Sequence, residues 1–210
     1  MSELLLIGLA WLAYGALHSW LASGHTKAWV ARRWPRFVPA YRLAYNGLAI
    51  LLLIPPLALT LSQPGEALWN WPVWVSWPAA VLAIAGFVWS LRWYDMGEFM
   101  GLRQWRRHDG REHEGFVISP LHRYVRHPWY SLGLLLLWTR DLNAAWLTTA
   151  LAVTLYLAIG SRLEERKLVA QYGEAYREYM RRVPALLPWP GRHLSPDEAQ
   201  ALQQAAHRDG

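Results

Sequence analysis

The chain of 210 residues contains no cysteine. Disulfides, cysteine-ligated metals and a cysteine nucleophile are therefore excluded. Charged residues are also scarce, at 17% of the sequence, where about 25% is usual in soluble domains. Apolar residues make up 54% of the chain, and 15 residues are tryptophan. This composition favours a single domain that is solvated by lipid.

Long stretches without any charge indicate membrane-spanning helices. About 20 largely apolar residues are needed to cross about 30 Å of hydrocarbon. Four uncharged stretches meet this requirement: residues 4–21, 43–60, 73–91 and 142–159. A fifth, 128–139, is short, and it either spans by borrowing its flanks or forms half of a tight hairpin. We therefore predict an all-α polytopic membrane protein with about five transmembrane helices.

The basic residues predict how these helices are oriented, because cytoplasmic loops carry an excess of Lys and Arg. Basic clusters follow the first, third and last stretches, whereas Arg140 alone lies on the opposite side. This places the N-terminus outside and the C-terminus in the cytoplasm of a multi-pass inner-membrane protein. We interpret the net charge of +6 as topology and contact with anionic membrane lipid, and not as a sign of nucleic-acid binding.

The chain also divides by chemistry. We predict an N-terminal three-helix transmembrane region (1–93), a core that carries the site (94–190) and a short cytoplasmic tail (191–210). The first apolar run is expected to be retained, since Glu3 precedes it instead of a basic cluster. In the tail, Ser195, Pro196 and Glu198 predict a helix that begins with a capping box.

Two polar blocks lie where basic segments meet apolar ones. The first is Arg126-His127-Pro128-Trp129-Tyr130-Ser131-Leu132-Gly133, with Pro128 expected at the first helical position. The second is Glu164-Glu165. Two carboxylates beside hydrocarbon are costly unless a cation or a polar cavity meets them, so this pair is a candidate site. The alternative is an ordinary interface, with a snorkelling arginine, aromatic belt residues and a solvated helix end.

Together and in this order, the two blocks are more specific. They are followed by Tyr172-Gly173-Glu174-Ala175-Tyr176-Arg177-Glu178-Tyr179 and Val183-Pro184-Ala185-Leu186-Leu187-Pro188. This arrangement resembles the signature of isoprenylcysteine carboxyl methyltransferases and related phospholipid methyltransferases. In the first half, His18-Ser19-Trp20-Leu21-Ala22 and Phe99-Met100-Gly101-Leu102-Arg103-Gln104 look like bacterial thiol S-methyltransferases and some denitrification-associated membrane proteins of the same superfamily.

The resemblance implies an S-adenosylmethionine-dependent methyltransferase whose cytoplasmic cofactor pocket is built from loops and the C-terminal helix. Glu164 suits the cofactor amine, Arg126 or His127 its carboxylate, and the rings of Tyr130 and Trp129 its adenine or sulfonium. It also implies that Arg162 and Glu164 are catalytic, and it implies no metal. The implied cofactor-binding residues are Gln104, Glu114, Gly115, Phe116, Val117, His122, Arg126, His127, Pro128, Trp129, Tyr130 and Glu164.

Two positions depart from the family pattern and leave the methyl acceptor open. His122 replaces a tyrosine, and Gly160 aligns near the arginine that faces substrate in the eukaryotic enzymes, with Arg162 the nearest cation. A prenylated carboxylate, a lipid amine and a small thiol all remain candidates. We expect a lipophilic or small thiol-bearing acceptor that reaches the site from the bilayer.

Two other classes of protein compete with this interpretation. Sterol reductases carry a similar arginine-histidine-proline motif and use NADPH, although their chains are much longer. A non-enzymatic membrane partner is the second alternative, in which the polar loop docks another protein and the histidines bind haem.

Overall fold

A computed structural model describes residues 2–108 and 115–209, with side chains described up to residue 206. Its helices are α1 (Ser2–Ala22), α2 (Gly24–Arg33), α3 (Val38–Leu61), α4 (Val73–Ser90), α5 (Met96–Met100), α6 (Leu102–Arg107), α7 (Pro128–Trp138), α8 (Ala144–Arg182) and α9 (Pro196–Asp209). Short 3₁₀ turns lie at Pro35–Phe37, Leu91–Trp93 and Leu121–Arg123. In the described part, β pairing is limited to isolated bridges. The all-α prediction is confirmed.

Four helical segments are long and apolar enough to cross a membrane. They are Ser2–Ala22, Pro35–Leu61, Val73–Trp93 and Ala144–Arg182, and each coincides with one of the predicted uncharged stretches. α7 has only 11 residues, which is about 16 Å of helix. The protein is thus a polytopic membrane protein, and the fifth crossing stays a prediction.

The chain divides into two compact units. The first comprises residues 1–70, 94–114 and 141–153, and the second comprises 71–93, 115–140 and 154–210. α8 contributes its first turns to one unit and the remainder to the other. It is interrupted by Gly173, whose φ of 56° and ψ of −131° are not helical. The predicted division into residues 1–93, 94–190 and 191–210 stays a prediction.

In the first unit, α1 packs against α3 and the start of α8. Ile7, Trp11 and Ala145 form its buried apolar centre. The indole of Trp11 donates to Thr149 Oγ1 at 3.0 Å, and Thr149 also hydrogen-bonds Thr60 at 2.7 Å. Polar groups within hydrocarbon must find protein partners. This chain of bonds meets that requirement and ties three helices together.

The segment from Phe99 to Gln104 is held against α3 in the same unit. Gly101 has a φ of +89°, and a Cβ there would lie 2.6 Å from the backbone nitrogen of Leu43. Only glycine permits both the left-handed backbone and this approach. The carbonyl of Phe99 accepts hydrogen bonds from Arg42 and Asn46. The motif therefore has a clear packing role.

In the second unit, α7 lies against α4. The Trp129 indole donates to Ser90 Oγ near the end of α4 at 2.8 Å, and the Trp71 indole, just before α4, donates to the Trp138 carbonyl at 2.7 Å. α7 therefore contacts both ends of a helix that is long enough to span a membrane.

The second unit also contains an aromatic cluster that is closed by the tail. Phe116 lies among Tyr172, Tyr176 and Tyr179, with ring centroids 5.2–5.7 Å apart. Leu194, Ala199 and Ala206 of the tail are buried in the same cluster.

The predicted capping box at the start of α9 is confirmed. Ser195 N donates to Glu198 Oε2 at 2.7 Å, and Glu198 N donates to Ser195 Oγ at 3.2 Å. The backbone and side chain of Ser195, together with Arg182, lower the pKa of Glu198 to about 2.

Candidate active site

The two motifs that define the candidate site are joined through their backbones. Arg126 N donates to the carbonyl of Pro184 at 2.9 Å, and His127 N donates to that of Ala185 at 3.0 Å. The Ser131 hydroxyl then bonds the Leu186 carbonyl at 2.5 Å. The segment after α8 is therefore seated on the start of α7. This pairing gives a physical reason for the two motifs to occur together.

Arg126 and Glu165 form a buried ion pair beneath the site. Their side chains are 8% and 6% exposed, and Nη2 of Arg126 lies 2.7 Å from Glu165 Oε1. Arg126 Nε donates to the same oxygen, while Nη1 donates to the carbonyls of Met180 and Val183. Every nitrogen of the guanidinium is thus engaged by protein groups. Such saturation is what a buried charge requires.

Tyr130 and Glu164 form the accessible side of the site, next to the ring of His127. The His127 ring is buried, and its Nε2 lies 3.0 Å from Glu165 Oε1. Its other nitrogen lies 3.6 Å from Glu164 Oε2, and the Tyr130 hydroxyl donates to that oxygen at 3.3 Å. The His127 and Tyr130 rings stack at 5.2 Å with 7° between their planes. The Glu164 side chain is 49% exposed, so a ligand can reach this carboxylate.

His122 lies near this group and is held neutral. Its Nδ1 is 2.7 Å from Ser119 Oγ, and its backbone carbonyl accepts a hydrogen bond from the Tyr179 hydroxyl at 2.6 Å. Burial, with a smaller contribution from His127, lowers the pKa of His122 to about 4.

Pro128 and Trp129 set the position of α7. Pro128 begins the helix as predicted, and it is buried. The indole of Trp129 is bonded to Ser90, and its ring contacts Phe87 edge to face at 6.1 Å. The ring of Trp129 therefore anchors α7 to α4.

Two glycines leave open space on α7 and α8 near Tyr130 and Glu164. α7 and α8 touch at this pair and again where the Trp138 indole donates to Thr154 Oγ1 at 2.9 Å. Between these contacts lie Gly133 and Gly160, and a Cβ added at either would meet nothing within 4 Å.

Four further predicted residues within the described ranges differ in their exposure. Phe116 is in the buried aromatic cluster, whereas the next residue, Val117, is 57% exposed. Gly115 is exposed at the start of its described segment, and Glu114 lies outside the described residues. Arg162 is exposed and makes no hydrogen bond or ion pair to any residue that the structure describes.

Gln104 belongs to the first compact unit. It is buried there, and its amide nitrogen donates to Glu98 Oε1 at 2.8 Å. Arg107 pairs with the other oxygen of the Glu98 carboxylate at 3.0 Å. Gln104 is thus part of a buried polar cluster in α5 and α6, and its predicted cofactor contact stays a prediction.

Sequence reasoning did not assign roles to three residues that the structure places at the site. Glu165 was seen only as the neighbour of Glu164, although it carries the buried ion pair. Ser119 and Tyr179 position His122. Tyr179 ends the Tyr172–Tyr179 motif but was assigned no role, and Ser119 lies outside every motif. Across residues 2–108 and 115–209, no cluster of three or more His, Asp or Glu could hold a metal ion.

Comparison with known proteins places this arrangement in a family. The chain is 33% identical over 208 residues to the methanethiol S-methyltransferase of Mycobacterium tuberculosis, covering 91% of this chain and 79% of that protein. It is 32% identical over 206 residues to methanethiol S-methyltransferase 2 of Bradyrhizobium diazoefficiens, covering 90% and 74%. The chain belongs to the methanethiol S-methyltransferase family.

Membership of the methanethiol S-methyltransferase family makes the protein a membrane methyltransferase, within the isoprenylcysteine carboxyl methyltransferase-like group. A third relative, the methanethiol S-methyltransferase of Pseudomonas sp., is 31% identical over 195 residues, covering 83% of this chain and 69% of that protein. No family model matches the chain. No solved structure matches it either. The predicted resemblance and enzyme class are confirmed, and the reductase and non-enzymatic alternatives are not favoured.

Proposed function

We propose that the protein transfers the methyl group of S-adenosylmethionine to the sulfur of a small thiol. The observation that carries this proposal is the accessible Glu164 carboxylate, held beside the stacked His127–Tyr130 pair in a chain of this family. Relatives from several bacteria are named for methylation of methanethiol. Their names favour sulfur over oxygen or nitrogen as the acceptor atom.

The residues present fit the donor that we propose. The Glu164 carboxylate can accept a charge-assisted hydrogen bond from the α-amine of the cofactor. Arg162 has no partner among the described residues, but residues two apart on a helix do not face each other, so its predicted catalytic role rests on the family resemblance alone. The partly exposed ring of Tyr130 suits adenine or sulfonium. Arg126 is already saturated, so we assign it the role of positioning His127 and Glu165.

Bound S-adenosylmethionine would supply a methyl carbon activated by its positive sulfur. The thiol sulfur would bond to this carbon in line as the bond to the positive sulfur breaks, S-adenosylhomocysteine would leave, and the thiol proton would pass to solvent water. Most of the rate acceleration can come from alignment and from exclusion of water. The chain therefore needs no covalent nucleophile. We propose that Tyr130 and Glu164 hold the donor in place while the acceptor lies in the gap floored by Gly133 and Gly160.

We further propose that the enzyme crosses the inner membrane five times, with its N-terminus outside and its C-terminus in the cytoplasm. The distribution of Lys and Arg supports this orientation. The contacts of α7 with both ends of α4 support the fifth crossing. An apolar or small acceptor would then reach the site from the bilayer.

The test supplies labelled S-adenosylmethionine to the detergent-purified protein with methanethiol, a farnesylated cysteine or phosphatidylethanolamine. We expect label in the methyl thioether alone. Transfer only to the prenylated cysteine or to the phospholipid would refute the thiol acceptor. Titration with S-adenosylhomocysteine, NADPH and haem serves as the companion measurement, and binding of NADPH alone would refute the donor.

A further inference from the structure

A second site lies on the segment that joins α2 to α3. We call residues 33–37 the basic turn. Its shape is fixed by local bonds, since Trp34 N donates to the Val30 carbonyl at 2.7 Å and Phe37 N donates to that of Trp34 at 2.9 Å. Pro35 begins the 3₁₀ turn and fixes its own φ. The side chains of the basic turn are therefore displayed from a defined backbone.

The charges of the basic turn have no counter-charge on their own part of the chain. Between Glu3 and Glu66 the sequence contains neither aspartate nor glutamate. Arg33 and Arg36 make no hydrogen bond or ion pair with any residue in the described ranges. Two guanidiniums on one turn, with no acidic partner in residues 2–108 or 115–209, provide a strong attraction for an anion.

The basic turn also lines a shallow, widely open concavity. The concavity has a volume of about 640 Å³ and is lined by Arg33, Trp34, Pro35, Arg36 and Phe37. Trp34 and Phe37 are 48% and 42% exposed. The Trp34 ring is fixed by an edge contact with Trp29 at 4.9 Å. The site thus combines two cations with exposed, oriented aromatic rings.

The location of the basic turn indicates which anion it meets. In sequence, it follows α2 and leads into α3. Both α1 and the segment Pro35–Leu61, which contains α3, are long and apolar enough to span a membrane. Exposed aromatic rings beside such helices lie at the level of lipid headgroups. Anionic lipids give the cytoplasmic leaflet its negative potential. A free anion would use the arginines but would gain nothing from the aromatic rings.

We propose that the basic turn binds the headgroup of an anionic phospholipid. Arg33 and Arg36 hold the phosphodiester, and Trp34 and Phe37 lie against the glycerol and the first methylenes of the acyl chains. This proposal rests on the proposed membrane orientation, which places the basic turn at the cytoplasmic leaflet, but not on the proposed acceptor.

The test measures lipid binding to the delipidated, detergent-purified protein by native mass spectrometry. Phosphatidylglycerol is titrated against phosphatidylcholine and against inorganic phosphate. The variant R33Q/R36Q removes both lining cations. The control R32Q/R106Q removes the same charge from two exposed arginines that do not line the concavity. Retained S-adenosylhomocysteine affinity, or an unchanged helical circular dichroism spectrum, checks that each variant is folded.

We expect the wild type and R32Q/R106Q to prefer phosphatidylglycerol. R33Q/R36Q should bind that lipid about tenfold more weakly or worse, since two charge-assisted contacts are lost. Equal weakening in the control would show diffuse charge attraction and overturn the site. Equal binding of phosphatidylcholine would overturn the selectivity for anionic lipid. Competition by inorganic phosphate at concentrations comparable to the lipid would identify a free-anion site instead.

Discussion

Two adjacent glutamates have different environments at the centre of this site. Consecutive residues of a helix point about 100° apart, so one faces inward and the other outward. Glu165 lies beneath His127 in the ion pair with Arg126. Glu164 is half-exposed beside Tyr130. Their substitutions should therefore have different effects.

Glu165→Gln should destabilise the fold. It leaves the Arg126 guanidinium buried without a counter-charge, which typically costs about 3–5 kcal/mol. The measurement is thermal or denaturant unfolding in detergent. The control is Glu178→Gln, which breaks an exposed pair with Arg181 and should change stability by less than about 1 kcal/mol. If both substitutions lower the free energy of unfolding equally, the buried pair is no more stabilising than the exposed pair.

Glu164→Gln should leave stability nearly unchanged and weaken ligand binding. Loss of one charge-assisted bond to the amine of S-adenosylhomocysteine corresponds to about 1.5–3 kcal/mol, or roughly tenfold or more in Kd. Calorimetric titration of the purified variant gives the answer. Unchanged affinity would mean that Glu164 is only a solvated helix residue.

Stability should fall in mild acid because of His122. Its pKa in the folded protein is about 4, below the ordinary value of 6.5, so the unfolded chain binds a proton first as the pH falls. Stability from this residue is present above pH 6.5, is lost between 6.5 and 4, and changes no further below 4. Melting temperatures at pH 7.5 and 5 should differ less in His122→Asn than in the wild type. An equal difference in both proteins would assign the acid sensitivity to other groups.

At the scale of single residues, the sequence predicted which motifs form the site but not how their side chains are packed. The blocks at 126–133 and 164–165 were recognised from residue type and order. Which glutamate is buried depends on the rotation of α8 against its neighbours, and that rotation is set by packing. The saturation of Arg126 was likewise hidden, because two of its acceptors are backbone carbonyls of Met180 and Val183. Carbonyl groups carry no signal in a sequence.

Among the elements, α7 and α8 define the gap that we assign to the acceptor. Gly133 lies one turn after Tyr130, and Gly160 lies one turn before Glu164. Residues three or four apart share a helix face. Gly133 therefore lies on the same face of α7 as Tyr130, and Gly160 lies on the same face of α8 as Glu164. The family resemblance had placed Gly160 where an arginine faces substrate in the eukaryotic enzymes.

Gly160→Leu should therefore narrow the acceptor range. The added side chain would fill open space, and it should lower kcat/KM for butanethiol relative to methanethiol by about tenfold or more, since pocket discrimination is about 1–3 kcal/mol per methylene. Gly47→Leu in α3 is the matched control, because its Cβ also meets nothing within 4 Å. If the ratio of kcat/KM for butanethiol to that for methanethiol is the same in both variants, the acceptor does not occupy the gap.

For the molecule as a whole, the absence of cysteine makes the natural chain a ready background for topology mapping. We expect Glu66→Cys and Asp141→Cys to react with an impermeant maleimide in intact cells, and Arg106→Cys to react only after permeabilisation. If Asp141→Cys instead reacts only after permeabilisation, as Arg106→Cys does, α7 does not cross the membrane.

The fold was predictable where one helix supplies its own signal. Apolar stretches located the four long helices, and Ser195 with Glu198 located the start of α9. The packing of α9 was not predictable. Its apolar residues are alanine and leucine in a polar tail, and their partners Phe116 and Tyr179 lie far away in sequence. Long-range contacts of this kind become visible only when the chain is folded.

The position of α9 has a consequence for how the protein is made. The described structure bonds Arg123 to Leu194 through both the side chain and the backbone of Arg123, and Gln203 accepts from the backbone of Ile118. Chains fold from the N-terminal side during synthesis, and these tail residues leave the ribosome after the residues that they contact. The loop that carries Ser119 and His122 therefore gains this support only once the tail has been synthesised. Nascent chains that stall within the tail should insert into the membrane yet stay inactive, because insertion depends on the earlier helices and the completed site depends on α9.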